Sequence, residues 1–168
     1  MPIISTDIVY RLSGGSGNTD PSTSLGGVKS STAIGAGVHN LFDVVSSAES
    51  SAGDTEYRCI YVHNAHATLT MQNSVIWIQS NTTSADTSIE IGLGSSAVNG
   101  TEQTVANEST APTGVTFSAP ANQGAALSIG DIPPGEHKAV WVKRIVNAGA
   151  VAYNNDTATI RTLCDTAA

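Results

Sequence analysis

The chain has 168 residues and a formal net charge of −7, with 14 acidic residues against 7 basic ones. Hydrophobic residues reach 40%, enough for a core, while polarity comes from 20 Ser and 19 Thr, residues that compete with helix for backbone hydrogen bonds. The only adjacent cations are Lys143-Arg144, which excludes a surface that tracks phosphates along a nucleic acid or binds an anionic membrane.

In chain order, Asp7 to Leu12 (DIVYRL) predicts a first strand, stopped by Ser13-Gly14-Gly15-Ser16-Gly17. Residues 13–37 hold seven Gly, one Pro and many hydroxyls without any period, and predict a loop or an extended arm. Asn40 to Val45 predicts a strand, and Ser46 to Asp54 a loop rather than a helical turn. Tyr57 to Gln79 is the apolar centre, with runs at Cys59-Ile60-Tyr61-Val62 and Val75-Ile76-Trp77-Ile78. Such runs predict strands buried on both faces, with Trp77 and Trp141 in the core.

Thr87 to Leu93 alternates Ile89, Ile91 and Leu93 with Ser88, Glu90 and Gly92, the pattern of a strand with one wet face. Residues 94–114 predict a long loop of the kind that carries interactions, and Val115-Thr116-Phe117 a short strand. Ala126 to Ile129, Lys138 to Val146 and Ala158 to Cys164 complete the strands, with a tight turn at Pro133-Pro134-Gly135. The expectation is one all-β domain over 1–168. Its economical packing is an antiparallel two-sheet β-sandwich, immunoglobulin-like or jelly-roll, with long loops.

Met1 to Asp7 carries no basic region and no long apolar run, so no signal peptide is expected and synthesis in a cytoplasm is. Cys59 lies in the most apolar strand and reads as a small buried hydrophobe; a bridge to Cys164 is the alternative. Sequons at Asn81, Asn99, Asn107 and Asn155 carry no weight in so hydroxyl-rich a chain.

Chemistry-bearing patterns are few. Cys59-x3-His63-x2-His66 hints at a metal, but zinc wants three or four converging ligands and no fourth is near. His39 and His137 stand alone. The glycines at 14, 15 and 17 open no helix, so neither a phosphate loop nor a nucleophile elbow is formed. Asp54, Glu56 and Glu90 do not declare a catalytic pair, and Asn154-Asn155-Asp156 reads as a turn before a calcium site. No catalytic, cofactor-binding or metal-ligating residue is expected.

DIVYRLSGG, EYRCIYVHNAH, WIQSNT with ADTSIEIGLG, GVTFSAP and DIPPGEHKAVWVKR together resemble a family of small virion structural proteins of tailed bacteriophages. These are scaffold motifs and carry no active residue. The resemblance implies a capsid decoration (cement) protein on the outer surface of the phage head. The major capsid protein would be its partner, and a homo-oligomer (dimer or trimer) its form on the capsid. A tail or baseplate component and a host-surface or glycan-binding module are the competing classes. On the cement expectation, 13–37 and 94–114 are the attachment arms.

Overall fold

The computed structural model describes residues 2–166. Nine strands lie among them: β1 (Ile8–Leu12), β2 (Gly26–Gly27), β3 (Asp54–Asn64), β4 (Met71–Ser80), β5 (Thr87–Leu93), β6 (Glu102–Thr104), β7 (Leu127–Ile132), β8 (His137–Val146) and β9 (Thr159–Thr166). The one α-helix, α1, spans Ser47–Ala52. All pairing is antiparallel, in a four-stranded sheet β1-β3-β8-β5, a three-stranded sheet β7-β4-β9 and the small pair β2-β6. The all-β expectation holds.

The β3–β8 ladder runs from Asp54 opposite Val146 to His63 opposite His137. Side chains alternate between faces along each strand. On one face Ile60, Val62, Val140 and Val142 join Ile89 and Ile91 of β5, and Met71, Ile76, Ile78, Ile129 and Ile132 of the three-stranded sheet, in one buried cluster. On the other face Cys59, Tyr61, Ala139 and Trp141 form a second cluster with Val105, against which Leu25, Tyr57, Val115 and Phe117 pack. Each fully buried aliphatic or aromatic side chain contributes roughly 1.5–3 kcal/mol. Burial on both faces explains why these strands read as continuous apolar runs.

The cover of the second face corrects the arm expectation. Residues 13–33 are packed down, not free. Ser24 carbonyl oxygen accepts from Cys59 N, Gly26 N donates to Ser13 Oγ, and Ser13, Ser24 and Ser30 are buried. Thr32 and Ser30 bond both backbone groups of Leu12, so this segment borders β1. Residues 94–114 are likewise fastened: Val105 N donates to Leu25 O, and β6 pairs with β2. Two glycines permit that closeness. A Cβ on Gly26 (φ 97°) would stand 1.8 Å from Gln103 carbonyl oxygen, and one on Gly92 2.5 Å from Val115 Cγ1.

Other expectations also need correction. Asn40 to Val45 is no strand: its neighbours Leu41 and Phe42 both pack against the first cluster, whereas a strand would send them to opposite faces. Val115 to Phe117 forms no strand; the residue after it, Ser118, makes an isolated bridge to Ile91. Ser46 to Gly53 holds α1, closed by a capping box in which Ser46 Oγ accepts from Glu49 N and Glu49 Oε2 accepts from Ser46 N, with Gly53 at φ 79° ending it. Pro133-Pro134-Gly135 does turn tightly, with Gly135 at φ 78°. Cys59 and Cys164 are both free; one belongs to the second cluster and the other packs on the first, so the four-stranded sheet separates them.

Candidate functional site

The lower half of the inner sheet face is charged. Glu56 and Arg58 precede Ile60 and Val62 on the same face of β3, and Arg144 of β8 stands opposite Glu56. All three are buried. Arg144 binds the Glu56 carboxylate, donates from Nη1 to Asp43 O at 2.6 Å and meets Asp43 Oδ1 at 3.2 Å. Arg58 Nη2 lies 2.5 Å from Glu108 Oε2 and 3.8 Å from Glu56 Oε1. The Phe42 ring takes both guanidiniums, with Arg144 Cζ 4.9 Å and Arg58 Cζ 5.4 Å from its centroid. Burial raises the Glu56 carboxyl above its ordinary range, against the pull of Arg144 and then Arg58. The cluster fastens two loops, through Asp43 and Phe42 on one side and Glu108 on the other.

A second polar group sits on the outer face. Tyr61 hydroxyl donates to Gly27 O and accepts from Glu102 N at 3.0 Å. Burial raises this phenol to about 12. Burial would also raise Glu102, but Ser96 N at 2.8 Å and Ser95 Oγ at 2.9 Å hold its carboxyl down at about 2. His63, opposite His137 in the ladder, is lowered to about 4 by burial and by Lys29 and Arg11. Tyr61 and Glu102 too are spent on holding the cover in place.

The sequence candidates are dispersed. Cys59 is sealed in the second cluster, and burial pushes its thiol far up. His63 Nδ1 lies 3.1 Å from Glu136 O, while His66 Nδ1 accepts from Thr68 N and Leu69 N in the β3–β4 turn. Among the described residues no three His, Cys, Asp or Glu are grouped to hold a metal. His39 is exposed in the left-handed region at φ 57°, and His137 packs edge-on against Tyr61. Glu90 pairs with Lys143 at 2.9 Å, on the face opposite Glu56, so those carboxylates do not meet. Asp54 sits at the start of β3 opposite Val146. Asp156 is a clasp: its carboxylate accepts from Thr83 N, Ser84 N and Thr87 Oγ1, tying the β8–β9 connection to the β4–β5 turn. Asn155 takes φ 58° in a turn of the β8–β9 connection.

A groove of about 1100 Å³ separates residues 34–45 from residues 150–160, over Tyr10, Ile60, Ile89 and Val142. On its rim Val38, Val44, Val151 and Tyr153 are 46%, 65%, 71% and 50% exposed. These are four of the seven large hydrophobic side chains exposed among the described residues. The sequence showed this surface only as apolar residues in loops, and Val44 was absorbed into a predicted strand. No family model, curated protein or solved structure matches the chain. No described helix is long and apolar enough to cross a membrane.

Proposed function

We propose that this chain is a non-enzymatic virion structural protein of a tailed bacteriophage, a decoration (cement) protein that binds the outer surface of the head and stabilises it. We further propose that its two larger sheets form a β-sandwich, to which the 13–33 and 94–118 segments add an outer cover. The observation that carries the functional reading is the groove with its four clustered apolar side chains. The polar constellations are engaged in fastening loops, which leaves this surface to make contacts. The sequence resemblance supplies the partner, the major capsid protein, and a homo-oligomer as the bound form. Neither nucleic acid nor membrane is a partner on this reading, and the virion surface is its location.

Attachment therefore moves from the presumed arms at 13–37 and 94–114 to the rim formed by 36–44 and 150–155. A neighbour seated there covers apolar surface at roughly 25 cal/mol per Å² before the cost of association is subtracted. The test is titration of heads stripped of the protein with wild-type chain and with Val44→Asp plus Val151→Asp. Saturation at hundreds of copies per virion, and at least tenfold weaker binding of the double variant, support the proposal. Saturation at a few dozen copies places the protein on the tail or a vertex instead. Equal binding by both chains removes the groove from the contact.

A further inference from the structure

The three-stranded sheet ends on β9, and among the described residues no backbone–backbone hydrogen bond runs along its outer edge, where Ile3 N donates to Thr166 Oγ1 at 3.3 Å. The direction of that edge follows from β4. Ile78 N donates to Pro120 O, away from β9, so Val75 and Trp77 are the residues whose backbones face β9. Their partners Leu163 and Arg161 turn inward to the ladder, which leaves the backbone groups of Ile160, Thr162 and Cys164 facing outward. Tyr10 hydroxyl, 2.8 Å from the buried Thr162 Oγ1, lies on the core-facing side of this strand. An open edge of this kind is a template for another strand.

The side chains say which strand. Thr159, Arg161, Leu163 and Asp165 are all exposed, on the face away from the core. Among the described residues no carboxylate lies within salt-bridge distance of Arg161, although acids outnumber bases two to one in this chain. Its guanidinium rests 5.8 Å from the Trp77 ring centroid, and Asp165 accepts from Asn73 Nδ2 at 3.0 Å. Four residues apart on a strand, Arg161 and Asp165 are about 13 Å from each other and cannot pair within one chain.

We infer that β9 is a self-association strand, pairing antiparallel with β9 of a second copy about a twofold axis at Leu163. In this register Thr162 and Cys164 of the two copies exchange backbone bonds, as do Ile160 and Thr166. Leu163 then meets its own mate. Arg161 of each copy faces Asp165 of the other in the closer, non-hydrogen-bonded positions, where opposite charges stabilise and like charges repel. The contact is isologous, as a closed dimer requires, and the strip is self-complementary only in this register. The inference rests on the self-associating part of the reading above and is independent of the capsid part.

Sedimentation equilibrium of the full chain tests it, with Trp fluorescence as the control for folding. Wild type is expected to dimerise. Arg161→Asp or Asp165→Arg alone puts like charges face to face twice and is expected to weaken dimerisation roughly tenfold or more. The double exchange R161D/D165R is expected to restore it. In a Cys164→Ser background, Leu163→Cys is expected to form an intermolecular disulfide on oxidation, and Thr159→Cys is not. A chain that stays monomeric at every concentration overturns both this inference and the homo-oligomer. A dimer indifferent to both reversals and uncrosslinked through position 163 overturns the β9 contact alone.

Discussion

Trp141 and Trp77 sit in similar apolar runs but in different surroundings. Trp141 is fully buried against Cys59, Tyr61 and Ala139, and its indole Nε1 has no hydrogen-bond partner. Trp77 is also buried but belongs to neither apolar cluster; alternation turns it away from Ile76 and Ile78, and Arg161 lies over its ring. Trp141→Ala is therefore expected to cost about 3–5 kcal/mol through lost burial and a residual cavity. Trp141→Phe should cost clearly less, because it removes an unpaired donor as well as volume. Urea denaturation of the two variants decides this; equal losses would mean that the indole nitrogen is not an orphan. Burial of both tryptophans was legible from their neighbours in sequence. Which face each took depended on the register.

At the scale of elements, residues 13–33 act as a cover over one face of the four-stranded sheet. β1 stops at Leu12, opposite Ile60, and further along the same edge of β3 Ser24 O takes Cys59 N and Glu108 O takes Tyr57 N. Leu25 caps the cluster that holds Trp141. Deleting 14–33 strips backbone partners from β3 and bares that cluster, so the deletion is expected to abolish the cooperative urea transition. A variant that still unfolds cooperatively near the wild-type midpoint would return the segment to the status of a dispensable arm. Its composition misled because glycines and small hydroxyls suit close packing of backbone on backbone as well as they suit flexibility. The Ser46 to Glu49 capping box is the sequence signal for α1, a helix of six residues in a segment predicted as a loop.

For the whole molecule, stability should peak over a broad middle range of pH. Below it, two groups act in the same direction. His63, at about 4 against an ordinary 6.5, is kept neutral by the fold, so its contribution is complete above 6.5 and lost as pH falls toward 4. Glu102, at about 2 against 4.5, contributes fully above 4.5 and loses that as pH falls toward 2. Glu56, raised by burial, opposes them, since its contribution is present at low pH and fades as pH rises through its folded value. On the alkaline side Tyr61, at about 12 against 10.0, loses its contribution as pH rises from 10 to 12. Urea midpoints measured across pH should slope down on both flanks, and Glu102→Gln should flatten the limb between 4.5 and 2. An unchanged acid limb in that variant would place the sensitivity elsewhere.

The sequence by itself determined the all-β class, the burial of β3 on both faces and the tight prolyl turn. Those follow from local pattern: β-branched runs, alternation and turn residues act within a few positions of each other. Only the tertiary structure decided what covers the second face, how Glu56, Arg58 and Arg144 are neutralised, and where apolar side chains remain outside. Glu56 meets Arg144 because two distant strands pair in one register, and Asp43 and Glu108 reach them from loops with no period of their own. Val38, Val44, Val151 and Tyr153 likewise share a rim only because two connections cross the same sheet. Pairing at such separations is set by the global packing of layers, and no local periodicity records it.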